Sequence, residues 1–202
     1  MSSSLLTAAR IALAVLVLTA IGRQLSLHLG ASYDPLNFFS YFTNLSNLFA
    51  ACVLLLAAFA RRSTRGVALD VARYLSAVNM AVVGIVFAVL LRNVDLGALL
   101  PWINFVLHYL MPVAIVLDWL LQPSGTRLKA GHLALALVFP ATYLAYVLLR
   151  GAATGWYPYP FLNPANVGGY AGVAVYSLGI FVTFLVVAWA LFAVGNRLAR
   201  RA

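Results

Sequence analysis

Charge is what this 202-residue chain has least of: 8% of its residues are Asp, Glu, Lys or Arg, against roughly a quarter in a soluble domain. With 64% of the chain hydrophobic, a water-soluble core-and-surface fold is excluded, and the reading is an integral membrane protein with room for a single transmembrane domain over residues 1–202. Cysteine is nearly absent. Cys52 stands alone in an apolar run, which excludes an internal disulfide and argues against a metal-thiolate cluster. Acidic residues number four against thirteen Lys and Arg, for a net charge of +9. The arginines are scattered at the ends of apolar segments and form no continuous basic face with interleaved aromatics, so no nucleic-acid partner is expected. Also missing are a phosphate-binding glycine loop, a G-x-S-x-G elbow and an H-E-x-x-H pair. The three histidines, His28, His108 and His132, lie on different segments without ligand spacing, and no metal, haem or other cofactor is expected. No internal repeat is visible, which weakens an inverted-repeat transporter.

What the chain has is six apolar stretches, at about 5–21, 38–60, 71–91, 99–121, 132–149 and 170–193. Each approaches the roughly 20 residues that cross the hydrocarbon core as a helix. Unbroken runs of this kind suit helices and not the alternating strands of a barrel. The expected fold is therefore all-α, a polytopic bundle of six transmembrane helices. Arg10, Arg61, Arg62, Arg65, Arg73, Arg127, Lys129, Arg197, Arg200 and Arg201 fall on one set of connections, and only Arg23, Arg92 and Arg150 on the other. The positive-inside rule then puts both termini in the cytoplasm, with the first helix uncleaved.

Polar groups interrupt two of these stretches. In "FFSYFTNLSNLFA" a helix starting at Phe38 would set Ser40, Thr43, Asn44 and Asn47 at i, i+3, i+4, i+7, a shared face unsuited to lipid. Interhelical hydrogen bonding explains one or two such residues more readily than this many. In "PWINFVLHYLMPVAIVLDWL", Asn104 and His108 share a face, and Pro112 withholds an N–H from the His108 carbonyl, so a kink is expected there. Counted from Asn37 and Leu100 at 1.5 Å per residue, Thr43 and His108 lie roughly 9 and 12 Å below the same boundary. An ionisable group at membrane depth points to function, and imidazole is a suitable base for a hydroxyl nucleophile. Thr43 and His108 thus form a candidate dyad. Asn44, Asn47 and Asn104, with Ser40 beside them, are candidate oxyanion or supporting groups. No acid is near enough to orient the histidine: Asp118 lies roughly 15 Å further along the helix, while Asp34 and Asp95 are in outer connections.

Arg23, Arg92 and Arg150 all end helices on the outer side, where they snorkel or bind a carboxylate or phosphate headgroup. Asp118 and Trp119 read as an interfacial anchor, and Asn79 as an interhelical hydrogen-bonder. The long connection "RGAATGWYPYPFLNPANVGGY" reads either as interfacial aromatics stiffened by proline or as a lid over a pocket.

Taken together, "SYFTNLSNL", "LHYLMPVAIVLDWL", "PATYLAYVLLRGAATGWYPYPFLNP" and the later "GGY" resemble a bacterial family of six-helix membrane proteins, itself distantly similar to the animal androgen-induced and androgen-dependent membrane hydrolases. The resemblance runs from about Ser40 into the last helix. It implies a threonine hydrolase acting on fatty acid esters of hydroxy fatty acids in a bacterial inner membrane, with Thr43 matching the nucleophile and His108 the histidine. The alternatives from the residues themselves are a non-enzymatic lipid-binding protein or transporter, and a structural membrane subunit whose polar face holds another helix.

Overall fold

The computed structural model describes residues 3–60, 66–94 and 99–199. Arg61, Arg62, Arg65, Asp95, Arg200 and Arg201 lie outside them. Among the described residues six helices are long and apolar enough to cross a membrane: Ser4–Gly30, Phe42–Phe59, Val67–Leu91, Pro101–Leu121, Ala130–Thr154 and Tyr170–Ala199. They are called the first to sixth spans below. No strand occurs among the described residues.

The number of helices is as expected, but several bounds are not. The first and fifth spans run well beyond Ile21 and Leu149. The expected helix from Phe38 is broken. Asp34 caps a short helix, Pro35–Phe39, by accepting from Leu36 N–H at 2.8 Å, and the chain turns at Ser40 and Tyr41 before the second span begins at Phe42. Proline at the first position suits that short helix, because its missing N–H would find no partner there. Asn44 seals the turn by donating to the Phe38 carbonyl at 2.8 Å. Ser40 is therefore not on the helical face of Thr43, and Thr43 sits in the first turn of its span.

Small residues bring the central spans together. Ala14 and Ala20 of the first span and Ala50, Ala51 and Ala57 of the second are buried, the close backbone approach that substitutes for hydrophobic drive inside a bilayer. A Cβ on Gly84 of the third span would stand 3.0 Å from Pro112 of the fourth. Gly195 gives similar room to Trp119, since a Cβ there would be 2.6 Å from its ring.

The Asp118 end is closed by charge. Asp118 accepts from Arg10 Nε at 2.6 Å and Arg73 Nη2 at 2.8 Å, while Arg10 also donates to Ala57 O and Gln122 Oε1. This corrects the interfacial reading. Trp119 is 1% exposed and donates to Leu191 O, and Arg10 and Arg73 are the buried ion-pair partners of Asp118. Asp70 pins the following loop by accepting from Ser124 Oγ and Gly125 N–H.

The fifth and sixth spans pack more loosely. Only 11% and 17% of their apolar windows are buried, against 56% for the second and third, and the space this leaves contains the cavities described next. At the Thr43 end the fifth span closes on Gly155 at φ 73°, a left-handed C-cap suited to glycine. The loop after it is fixed by close approaches, Tyr157 against Gly151 and the Val167 carbonyl against Gly172.

Candidate functional site

Between the second, third, fifth and sixth spans lies a cavity of about 570 Å³, within the range of sites that take small-molecule ligands. Its walls are almost wholly apolar and include Val82, Phe87, Leu144, Val173 and Phe184. Leu178 and Phe181 both line it and are exposed on the sixth span, so the cavity reaches the side of the bundle.

Thr43 stands at the polar end. The Thr43 backbone N–H, one of the free donors of a helix start, reaches the Tyr159 hydroxyl at 3.3 Å, and the Thr43 side chain also meets that hydroxyl. The Tyr143 hydroxyl donates to Ser40 O at 2.8 Å and lies beside Tyr159, and the Phe42 N–H faces both phenols. Ser40 Oγ donates to Leu36 O and shares a 2.8 Å hydrogen bond with the Tyr146 hydroxyl. Ser40 and Thr43 are thus gathered by three tyrosines. Burial pushes the Tyr159 phenol above its ordinary value, so it stays protonated and able to donate. Its ring stacks on Phe161 at 5.2 Å and meets Tyr41 edge-on.

His108 is held on the neighbouring fourth span. Asn47 links the two helices, donating to Thr43 O at 2.9 Å and to Leu107 O at 3.3 Å. An amide NH₂ carries two hydrogens, so both of Asn47's are committed to this tie. The fourth span widens at 106–110 into a π turn, with Met111 N–H returning to Val106 O, a distortion that often accompanies functional sites. A second π turn, Phe87–Leu91, ends the third span. The two meet where Phe87 stacks on His108, centroids 4.1 Å apart. Imidazole Nδ1 is paired with Asn104 O at 3.2 Å; as a donor there it leaves Nε2 as the basic nitrogen.

Thr43 and His108 make no hydrogen bond to each other, and Phe87, rather than His108, lines the cavity. Asn104 Oδ1 and Asn47 Oδ1 are buried without partners. Among the arginines, Arg23 and Arg92 are exposed. Arg150 donates to Asn37 Oδ1 at 2.7 Å, lies 3.5 Å from Asp34 and covers the Trp156 ring, while its Nη1 is buried without a partner. Asp34 therefore faces Arg150 and not His108. Asp95 lies outside the described residues. Among those residues no three His, Cys, Asp or Glu side chains converge as metal ligands would.

Tyr159 is the site residue that the sequence marks only as one of the aromatics of the long connection. Tyr159 stands between Pro158 and Pro160, and prolines on both sides of an aromatic are the available signal of a rigidly presented side chain.

Comparison with known proteins gives one positive result. No curated protein matches the chain, and no solved structure does. The family model described as FAR-17a/AIG1-like protein matches residues 85–194, a segment that holds Phe87, His108, Tyr143 and Tyr159 and begins after Thr43. A match over more than half of a six-helix chain, running from the π turn of the third span through the sixth, is enough to say that the chain belongs to the FAR-17a/AIG1-like family.

Proposed function

We propose that the protein is an intramembrane lipid-ester hydrolase in which Thr43 is the nucleophile and His108 the general base. The observation that carries this reading is the position of Thr43, at the polar end of an apolar cavity and in contact with the Tyr159 hydroxyl. In the proposed reaction Thr43 Oγ attacks the acyl carbon as its proton passes to His108 Nε2. The carbonyl electron pair moves to oxygen, where the Tyr159 hydroxyl, together with the Thr43 N–H that faces it, is the nearest donor. Collapse expels the alcohol, which takes the proton back from His108, and water then releases the acid by the same sequence.

The tie through Asn47 supports pairing the two helices, and catalytic hydrogen bonds commonly tighten only in the substrate complex. Fatty acid esters of hydroxy fatty acids suit an apolar cavity with a polar end. Arg150 is the best placed of the three arginines to meet a free carboxylate, through its unpartnered Nη1. The proposed setting is the bacterial inner membrane, with both termini cytoplasmic and the Thr43 end outward.

Thr43→Ala is expected to abolish labelling by a fluorophosphonate probe while the protein stays folded; undiminished labelling removes Thr43 from the role. The stacking of Phe87 over His108 favours a second reading, lipid binding without turnover. That reading expects saturable binding of a fatty acid ester that survives His108→Gln, with no ester cleavage in the unaltered protein.

A further inference from the structure

A second cavity, of about 320 Å³, lies between the second, third and fifth spans. Its wall is formed by Leu45, Phe49, Leu75, Leu135, Phe139 and one polar residue, Asn79. Asn79 is 4% exposed, and its side chain makes no hydrogen bond among the described residues. This corrects the expectation that it bonds a neighbouring helix. An amide in this position is costly unless something in the cavity satisfies it, because neither hydrocarbon nor protein does. Phe139 meets Phe42 at 5.1 Å, and Phe42 lines the larger cavity, so the two spaces share an aromatic wall.

Three features define what would fit. Asn79 is at the middle of the span Val67–Leu91, at the level of the bilayer centre, where a phospholipid headgroup does not reach. No charged side chain lines the cavity, so an ionised head would be unpaired there. Leu135 and Phe139 are 43% and 37% exposed on the fifth span, giving entry from the acyl-chain region. The volume is at the small end of ligand sites.

We propose that this cavity binds a whole neutral amphiphile of modest chain length, an alcohol or an undissociated carboxylic acid. The ligand's hydroxyl pairs with the Asn79 amide and its chain lies between Phe49 and Phe139. The site is independent of the chemistry at Thr43.

The test uses the full chain in nanodiscs of saturated phosphatidylcholine and a diazirine-bearing octanol as photoprobe. Saturable labelling is expected around Phe49 and Phe139, displaced by octanol and not by octane. Asn79→Leu is expected to raise the half-saturating concentration about five- to tenfold, the loss of one hydrogen bond, and to make octanol and octane equal competitors. That variant removes an amide without a protein partner, so its thermal midpoint is expected to hold or rise. Leu75→Trp fills the space with Asn79 in place and is expected to abolish the labelling. Equal displacement by octane in the unaltered protein would mean a gap filled by hydrocarbon and would overturn the proposal, as would an unchanged half-saturation in Asn79→Leu.

Discussion

Phe87 lies on the imidazole of His108, with centroids 4.1 Å apart and planes 21° from parallel, at the point where two π turns meet. The ring belongs to the wall of the larger cavity, so it stands between the imidazole and whatever the cavity holds. Aromatic contacts of this kind contribute about 0.5–1.5 kcal/mol beyond the area they bury, enough to bias the position of His108 without locking it. If Phe87 is a shield, a smaller side chain should uncover the base.

Phe87→Leu tests this with little loss of apolar volume. Modification of His108 by diethyl pyrocarbonate, followed by mass spectrometry, is expected to accelerate severalfold in the variant. An unchanged rate would show that access to the imidazole is controlled elsewhere. Under the hydrolase reading, ester turnover should change in the same variant while cavity binding is largely kept.

Tyr159→Phe removes one hydroxyl and leaves the ring stacked on Phe161 and edge-on to Tyr41. One hydrogen bond contributes about 0.5–1.5 kcal/mol to stability, so the thermal midpoint should fall only slightly. Fluorophosphonate labelling of Thr43 should fall further, by roughly an order of magnitude, because the nucleophile loses a group that orients it. Labelling at the original rate would reduce Tyr159 to a packing residue.

The difference between what could and could not be read beforehand follows from the kind of information involved. Spans are a property of composition over roughly 20 residues, so their number was legible. The break at Ser40 was not, because the polar pattern of "FFSYFTNLSNLFA" continues through it; the available signal was Asp34 before Pro35, a capped helix start. Arg10 and Arg73 bear on orientation because the positive-inside rule counts every cation near a helix end, whereas their pairing with Asp118 depends on tertiary contact and leaves no sign in the sequence. Thr43 stood out because hydroxyls and amides are out of place in an apolar run. Tyr159 did not, because tyrosine near a membrane boundary needs no special explanation.

Asp118 is held by two arginines from different spans. Removing one partner of a buried ion pair leaves the other charge uncompensated, at about 3–5 kcal/mol. Here Asp118→Asn strands two. Its thermal midpoint in detergent should drop more than that of Arg10→Met, which leaves Asp118 paired with Arg73. Equal losses would indicate that the three charges do not act as a unit.

The loop that carries Tyr159 can be loosened without touching a proposed catalytic group. Tyr157 packs directly against Gly151, where any Cβ would overlap its ring, so Gly151→Ala must displace Tyr157 or bend the end of the fifth span. The overlap involves the body of the ring rather than a flexible tip, so the strain should pass into the segment from Gly155 to Tyr159. Overpacking of this kind costs about 1–3 kcal/mol, which the remaining contacts of the bundle should absorb. Expected are faster proteolysis within that loop and slower labelling of Thr43, with the distant cluster at Asp118 undisturbed. Tyr157→Ala in the Gly151→Ala background removes the clash and should restore part of the labelling rate. If the double variant labels no faster than Gly151→Ala alone, the loop does not act on Thr43 through this contact.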